Sequence, residues 1–224
     1  MFKASLFPQA CLLCSASKGG SLGVCSDCLC DLPYHDQSSC PQCGLPSFER
    51  QHCGSCLAST PDFDLTTAAF TYAYPISQVL QQYKYQQQLF LAETFANLML
   101  QKLKPHNIDL IIPMPLHPNR LQERGFNQSL EIARIIGKRS NIVVNSQAVA
   151  RIKHSPPQAS LPLKERARNM KGAFICHEDL SGLRIALVDD VMTTGASLNA
   201  LAKAVKAKGA AHVECWLIAR TLAK

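Results

Sequence analysis

Residues 183–197 read LRIALVDDVMTTGAS, and the rest of the chain is understood from there. Ile185, Ala186, Leu187 and Val188 form an apolar run that stops at two adjacent carboxylates, Asp189 and Asp190. After Val191 and Met192 come Thr193, Thr194, Gly195, Ala196 and Ser197, and a helical pattern begins at Leu198. The order predicts a buried strand that delivers a glycine- and hydroxyl-bearing turn to the start of a helix. A helix N-terminus offers unpaired N–H groups and a positive dipole end, and Gly195 lets the backbone come close, so a phosphate can sit there. Carboxylates at the carboxyl edge of a parallel strand suit the opposite task, accepting hydrogen bonds from a sugar diol or holding a water-rich Mg²⁺. Acid pair and anion site together point to a ribose 5-phosphate. Plain capping by Thr193 or Thr194 would account for one threonine and neither aspartate.

Outward from this stretch the chain alternates strand and helix. Downstream, Leu198, Leu201, Ala202 and Val205 recur at helical spacing until Gly209, and residues 213–219 form a closing strand with Cys215 and Trp216 as packing residues. Upstream, residues 65–74 (LTTAAFTYAY) read as a strand broken by Pro75. Residues 76–104 read as two helices meeting near 86–88, with Val79, Leu80, Leu91, Phe95, Leu98 and Leu103 inward. At that junction Tyr83-Lys84-Tyr85 fits either a cation flanked by stacking surfaces or a surface lysine between part-buried tyrosines. Residues 108–112 form a short apolar strand, followed by a loop to residue 128 and a helix over 129–138. The expected class is α/β, a parallel sheet with its ligand at the carboxyl edge. Arg120 and Arg124 lie four apart in the loop, and arginine grips diphosphate oxygens through paired N–H forks.

A chain of 224 residues with 47% hydrophobic and 17% charged content holds one sizeable α/β domain and a small appendage. No run approaches the roughly 18 to 20 apolar residues of a membrane helix, and the apolar core of the N-terminus is too short for a signal peptide. A cytoplasmic protein without membrane insertion is therefore expected. The formal charge of +7 is concentrated: residues 102–171 carry 13 Lys or Arg against 4 Asp or Glu. A positive field there suits pyrophosphate or a nucleic-acid backbone as partner, although scattered lysines also make an ordinary solvated face.

Nine of the 11 cysteines fall within the first 56 residues, eight of them as C-x-x-C pairs: Cys11/Cys14, Cys25/Cys28, Cys40/Cys43 and Cys53/Cys56. Each such turn presents two sulfurs to one ion, so four pairs predict two Cys₄ zinc sites, structural because every position is a protein ligand. Sequential pairing, first with second and third with fourth, needs only local closure and is the expectation, whereas a cross-brace would interleave the pairs. Cys30 is then a spare thiol, and His35 and His52 are loop residues. A segment so poor in large apolar side chains folds only with its metals. The expected organisation is a double zinc ribbon over residues 1–60 and a second domain over 61–224, with a linker at 61–64.

Residues 185–197 resemble the thirteen-residue phosphoribosyl pyrophosphate (PRPP) signature of type I phosphoribosyltransferases: four apolar residues, two acids, two apolar residues, then TTG and a closing hydroxyl. PMPLHPNRLQERGFNQS (113–129) and RIKHSPPQASLPLKERARNMKGAF (151–174), in order with the cysteine pairs, extend the resemblance over nearly the whole chain to the competence protein ComF family. Ser155 and Met114 stand where that family more often has threonine and valine. The resemblance implies a type I phosphoribosyltransferase-like domain that binds PRPP with Mg²⁺. Asp189 and Asp190 would act on the ribose as the catalytic acids, and Thr193, Thr194, Gly195, Ala196 and Ser197 would anchor the 5-phosphate. Pro113, Met114, Pro115 and Leu116, with Arg120 and Arg124, would take pyrophosphate or DNA. Residues 151–174 match the loop that folds over PRPP, from which Arg151, Gln158, Arg166 and Asn169 reach the ligand or only pin the loop. Implied with these are a role in DNA uptake or in the use of DNA as nutrient, single-stranded DNA as a partner, and a DNA-uptake or helicase-type protein as another. The alternative is a nucleotide-salvage phosphoribosyltransferase that joins ribose 5-phosphate to a base and releases pyrophosphate. Nothing in residues 61–104 spells a base pocket.

Overall fold

The computed structural model describes residues 10–20, 22–35, 38–86, 88–153, 170 and 172–222. Five strands make the central sheet: β1 (Leu65–Thr71), β2 (Leu110–Pro113), β3 (Val143–Val144), β6 (Arg184–Met192) and β7 (His212–Arg220). Their order is β1-β7-β6-β2-β3 and every neighbouring pair is parallel. β4 (Val149–Arg151) and β5 (Phe174–Cys176) form a separate antiparallel ribbon. The α/β class with a parallel sheet is as the sequence predicts.

β6 and β7 lie inside the sheet and are covered on both faces, which is why their sequences read as continuous apolar runs. Because successive side chains point to opposite faces, Ala186 and Val188 join one core while Ile185 and Leu187 join the other. The first core is closed by α3 (Ile76–Tyr85), α4 (Leu91–Leu100) and α6 (Gln128–Ser140), through Leu80, Phe95, Ile132 and Ile136. The second is closed by α7 (Ala196–Lys206), through Leu198, Leu201 and Val205, and by the β4–β5 ribbon. Each of the fully buried Val, Leu, Ile and Phe side chains among these stabilises the fold by roughly 1.5–3 kcal/mol relative to exposure.

The ladder of β6 with β7 carries on past the apolar run, through Asp189, Val191 and Met192, opposite Leu217, Ala219 and Arg220. A neighbour of equal length satisfies the backbone there, so polar side chains can be carried at the strand's end without breaking it. One local feature differs from the sequence reading: residues 116–128 are not all loop, for Pro118–Arg124 form a helix, α5. Its signals are local: the His117 side chain accepts from Asn119 N–H, Pro118 opens the first turn, and Gly125 closes it at φ 81°.

The cysteine-rich segment carries α1 (Ser26–Cys30) and α2 (Gly54–Ala58) and covers the sheet's open edge. His35 N–H donates to the Ala69 carbonyl at 3.0 Å, Thr71 N–H to Pro33 at 2.7 Å, and Thr66 N–H to Pro41 at 2.9 Å. An edge strand left bare is a template for aggregation, and here β1 is bonded along its outer side by the cysteine-rich segment.

Gly137 fixes how α6 meets β3. A Cβ there would collide with the Val144 side chain and lie 2.7 Å from the Ile142 carbonyl oxygen. Gly→Ala in a helix ordinarily stabilises, but Gly137→Ala should destabilise the protein by about 1–3 kcal/mol, seen as a lower urea midpoint at unchanged slope.

Candidate functional site

The carboxyl ends of β6 and β2 and the starts of α6 and α7 meet at one edge of the sheet. Asp190 is 4% exposed, and its carboxylate lies 3.0 Å from the Lys84 ammonium, delivered by the last turn of α3. Desolvation disfavours the charged form of Lys84, but Asp190, and then Asp189, outweigh it and raise its pKa above the ordinary lysine value. The Lys84 side chain is aimed by its neighbour: Tyr83 is fully buried between Phe95 and Phe126, and its hydroxyl donates to the Gln128 carbonyl at 2.9 Å. Of the two readings left open for Tyr-Lys-Tyr, the structure shows the lysine turned into the acid pair.

Asp189, half-buried beside it, accepts from the Ser129 hydroxyl at 3.1 Å and from Asp190 N–H at 2.9 Å. Burial first, and then the charge of Asp190, push its pKa up to about 7, against the hydrogen bond from Asp190 N–H, the Lys84 charge and Ser129. Ser129 is placed by the start of α6, where the Asn127 side chain accepts from Ser129 and Leu130 N–H and donates to the Met114 carbonyl. Ser129, Asn127 and Lys84 carry no motif signal of their own; only the fold brings them to the aspartates.

The turn after β6 exposes Thr193 and Thr194. Gly195, not a threonine, is the N-cap of α7; it holds φ 80°, and Thr194 Oγ1 accepts from Ala196 N–H at 3.3 Å. A Cβ at Gly195 would meet only ordinary contacts with the protein itself, and the left-handed backbone is what demands glycine there. The carbonyls of Met192 and Thr193 are both held by the buried guanidinium of Arg220.

On the other flank, Pro113, Met114 and Pro115 are buried and Leu116 is half-buried. Met114 N–H donates to the Val188 carbonyl at 2.8 Å, tying this segment to β6. Arg124 donates to Gln128 Oε1 at 2.5 Å and lies over the exposed Tyr85 ring, 5.6 Å from its centre. Lys84, Tyr85, Arg120, Glu123 and Arg124 line a cleft of about 150 Å³. Arg151 lies over the Phe174 ring and lines a neighbouring cleft with Pro115 and Leu116; burial lowers its pKa, opposed by Asp189 and assisted by Arg120. Gln158, Arg166 and Asn169 fall outside the described residues.

The cysteines form two groups, Cys11, Cys14, Cys25 and Cys28, then Cys40, Cys43, Cys53 and Cys56, with all sulfurs of a group within 4.8 Å of one another. The pairing is the sequential one. Sulfurs of Cys14 and Cys25 are 3.7 Å apart and those of Cys43 and Cys53 3.5 Å. Zinc–sulfur bonds of about 2.3 Å put tetrahedral sulfurs about 3.8 Å apart, so both donor sets fit zinc. Burial, backbone N–H groups and crowding split the thiols. In the first group burial opposes ionisation of Cys11, but the N–H groups of Cys25, Cys14 and Leu13 lower its pKa to about 6, while Cys14 and Cys25 push Cys28 up. Cys40 and Cys56 repeat this in the second, down to about 7 and up respectively. A dication would let all four ionise. With four protein ligands it supplies folding energy, with no position open for chemistry.

A family described as "Double zinc ribbon domain" matches residues 2–57. The Haemophilus influenzae "Competence protein F" is 32% identical, covering 88% of this chain and 90% of that protein. The chain belongs to the ComF family. Among its ComF relatives are the "DNA utilization protein YhgH" of Escherichia coli, 32% identical over 96% of this chain and 98% of its own, and "Competence protein ComFC" of Streptococcus pneumoniae, 25% identical over 88% and 87%. A purine phosphoribosyltransferase from Pyrococcus horikoshii matches at TM-score 0.36 and 20% identity, over 60% of the ComF chain and 82% of its own. That likeness is too weak to bear on the reaction.

Two predictions follow from this geometry. Because the folded pKa of Asp189 is raised, its favourable contribution is present below about pH 4 and is lost as pH rises through about 7. Asp189→Asn should therefore flatten the fall in thermal stability between those values, and above pH 7 it should gain on the order of 2 kcal/mol over the parent. Stripping metal with a strong chelator should open residues 10–60 to protease, while fragments beginning near residue 61 persist in mass spectra.

Proposed function

We propose that this ComF-family chain binds PRPP with its Mg²⁺ at the carboxyl edge of the sheet and serves DNA uptake or the use of DNA as nutrient. What supports this is one convergence. An acid pair, a glycine turn opening an eleven-residue helix, and a cleft with Lys84, Arg120 and Arg124 all meet at the end of β6. These are the three chemistries of a sugar diphosphate: a diol to accept from, a terminal phosphate to cradle, and a diphosphate to neutralise. In this reading Asp189 and Asp190 take the ribose hydroxyls, residues 193–197 hold the 5-phosphate, and Arg120, Arg124 and Lys84 face the diphosphate. Lys84 already balances Asp190, so Mg²⁺ arrives with the substrate rather than residing between the carboxylates.

The relatives named for competence and DNA utilization favour the DNA role over nucleotide salvage. A basic cleft lined by the exposed Tyr85 is suited to single-stranded DNA, whose backbone needs cations and whose bases stack on aromatic rings. The metal-bound segment, residues 1–60, is taken as a separate module that docks DNA or a DNA-uptake or helicase-type protein. Its thiols suit the reducing cytoplasm, and no helix among the described residues is long and apolar enough to cross a membrane.

Isothermal titration of the zinc-loaded protein with PRPP should show saturable, Mg²⁺-assisted binding. Asp189→Asn or Arg124→Ala should weaken it about tenfold or more, and a parent protein that binds no PRPP overturns the reading. Asp190→Asn is a less clean probe, because it strands Lys84 beside a neutral amide. Binding of an oligothymidylate should weaken with salt, and Arg120→Ala with Arg124→Ala should lower the salt slope by about one to two. Pyrophosphate released on adding one particular nucleobase would instead establish salvage.

A further inference from the structure

Arg220, the last residue of β7, is 2% exposed and is paired with no carboxylate among the described residues. Its guanidinium is held by carbonyls instead. Nε donates to Cys43 at 2.7 Å; Nη1 reaches Met192 at 3.0 Å, Thr221 at 2.7 Å, and Thr193. Thr221 N–H also donates to Met192 at 3.0 Å. Cys43 belongs to the second cysteine group, and Met192 and Thr193 lead into the anion turn. The packing is close: a Cβ at Gly44 would stand 3.6 Å from Arg220 Cδ.

A cation this deeply buried is costly unless an opposite charge and full hydrogen bonding offset it. Nε and Nη1 have their acceptors, and four thiolates around one Zn²⁺ carry a net charge of −2, which is the counter-charge Arg220 otherwise lacks. Because the peptide unit is planar and trans, holding the carbonyls of Met192 and Thr193 also fixes the direction of the N–H groups of Thr193 and Thr194. A single side chain therefore reads the charge of a metal centre and sets the backbone of the turn next to it. We propose that Arg220 couples the two, so that metal at Cys40, Cys43, Cys53 and Cys56 and a sugar phosphate at residues 193–197 each strengthen the other's binding. The ligand half rests on the proposed PRPP reading. Reciprocity follows from thermodynamic linkage, and the first cysteine group, which has no bond to Arg220, serves as the internal control.

The test uses full-length, zinc-loaded protein and two readouts. The first is zinc release to a chromogenic chelator with and without PRPP, the second-site phase being assigned by its loss in Cys53→Ser. PRPP should slow that phase about tenfold and leave the other unchanged, and Arg220→Lys and Arg220→Met should each abolish the difference. The second readout is amide hydrogen exchange at residues 193–198, which should lose protection when the second site is emptied and keep it when the first is. PRPP that binds but slows both phases alike, or neither, overturns the coupling. If PRPP does not bind, the proposed function fails by itself and exchange decides the coupling: protection lost with second-site metal upholds it, unchanged protection overturns it. Both readouts are taken on the unmutated protein, exchange being read after each release phase in turn, and Cys53→Ser serves only to assign the phases.

Discussion

Two adjacent carboxylates at the end of an interior strand have to be balanced, and the way this is done organises the molecule. Asp190 is nearly without solvent and is matched by Lys84; Asp189 shares its field, takes a hydroxyl from Ser129 and titrates near neutrality. For Lys84 to be there, α3 must end above β6, and the buried Tyr83 bonded to α6 holds it in place. For Ser129 to be there, α6 must start at the same edge, which Asn127 secures as its cap. Balancing one charged strand end thus specifies the placement of two helices, and those helices bring the arginines of α5 alongside.

The cysteine-rich segment is bound into this arrangement rather than hung from it. It hydrogen-bonds the outer edge of β1, and Gln42 donates to the carbonyls of Pro61 and Phe63, so the stretch joining it to the sheet is stitched at both sides. Through Arg220 it also reaches the turn that caps α7. A metal centre with no open ligand position can still influence a binding site when it supplies charge and geometry to that site's backbone.

Much of the fold could be read from local pattern because the pattern has local causes. Interior parallel strands bury both faces, so residues 185–188 and 213–219 appear as unbroken apolar runs. The break between α3 and α4 fell where three glutamines interrupt helical periodicity. β6 runs past its apolar stretch because a strand's length depends on its neighbour, and β7 extends to Arg220. α5 was passed over because a two-turn helix has too few residues for periodicity to show, although His117, Pro118 and Gly125 carry its start and stop signals. For the site, adjacent acids and a TTG turn are visible as a motif, but Lys84 and Ser129 stand 106 and 61 residues before Asp190 and Arg220 stands 30 residues after it, in stretches whose spacing says nothing of that edge.

Residue order was enough to specify the α/β class, the grouping of eight cysteines into two metal sites and the strand–turn–helix with its paired acids, since each depends on neighbours a few positions apart. Tertiary structure alone decided which cation answers Asp190, that burial raises the pKa of Asp189, and that an arginine at the end of the last strand ties the second cysteine group to the turn after β6. Those outcomes depend on desolvation and on contacts between segments remote in the chain, and both arise only when the sheet, its helices and the cysteine-rich segment are packed together.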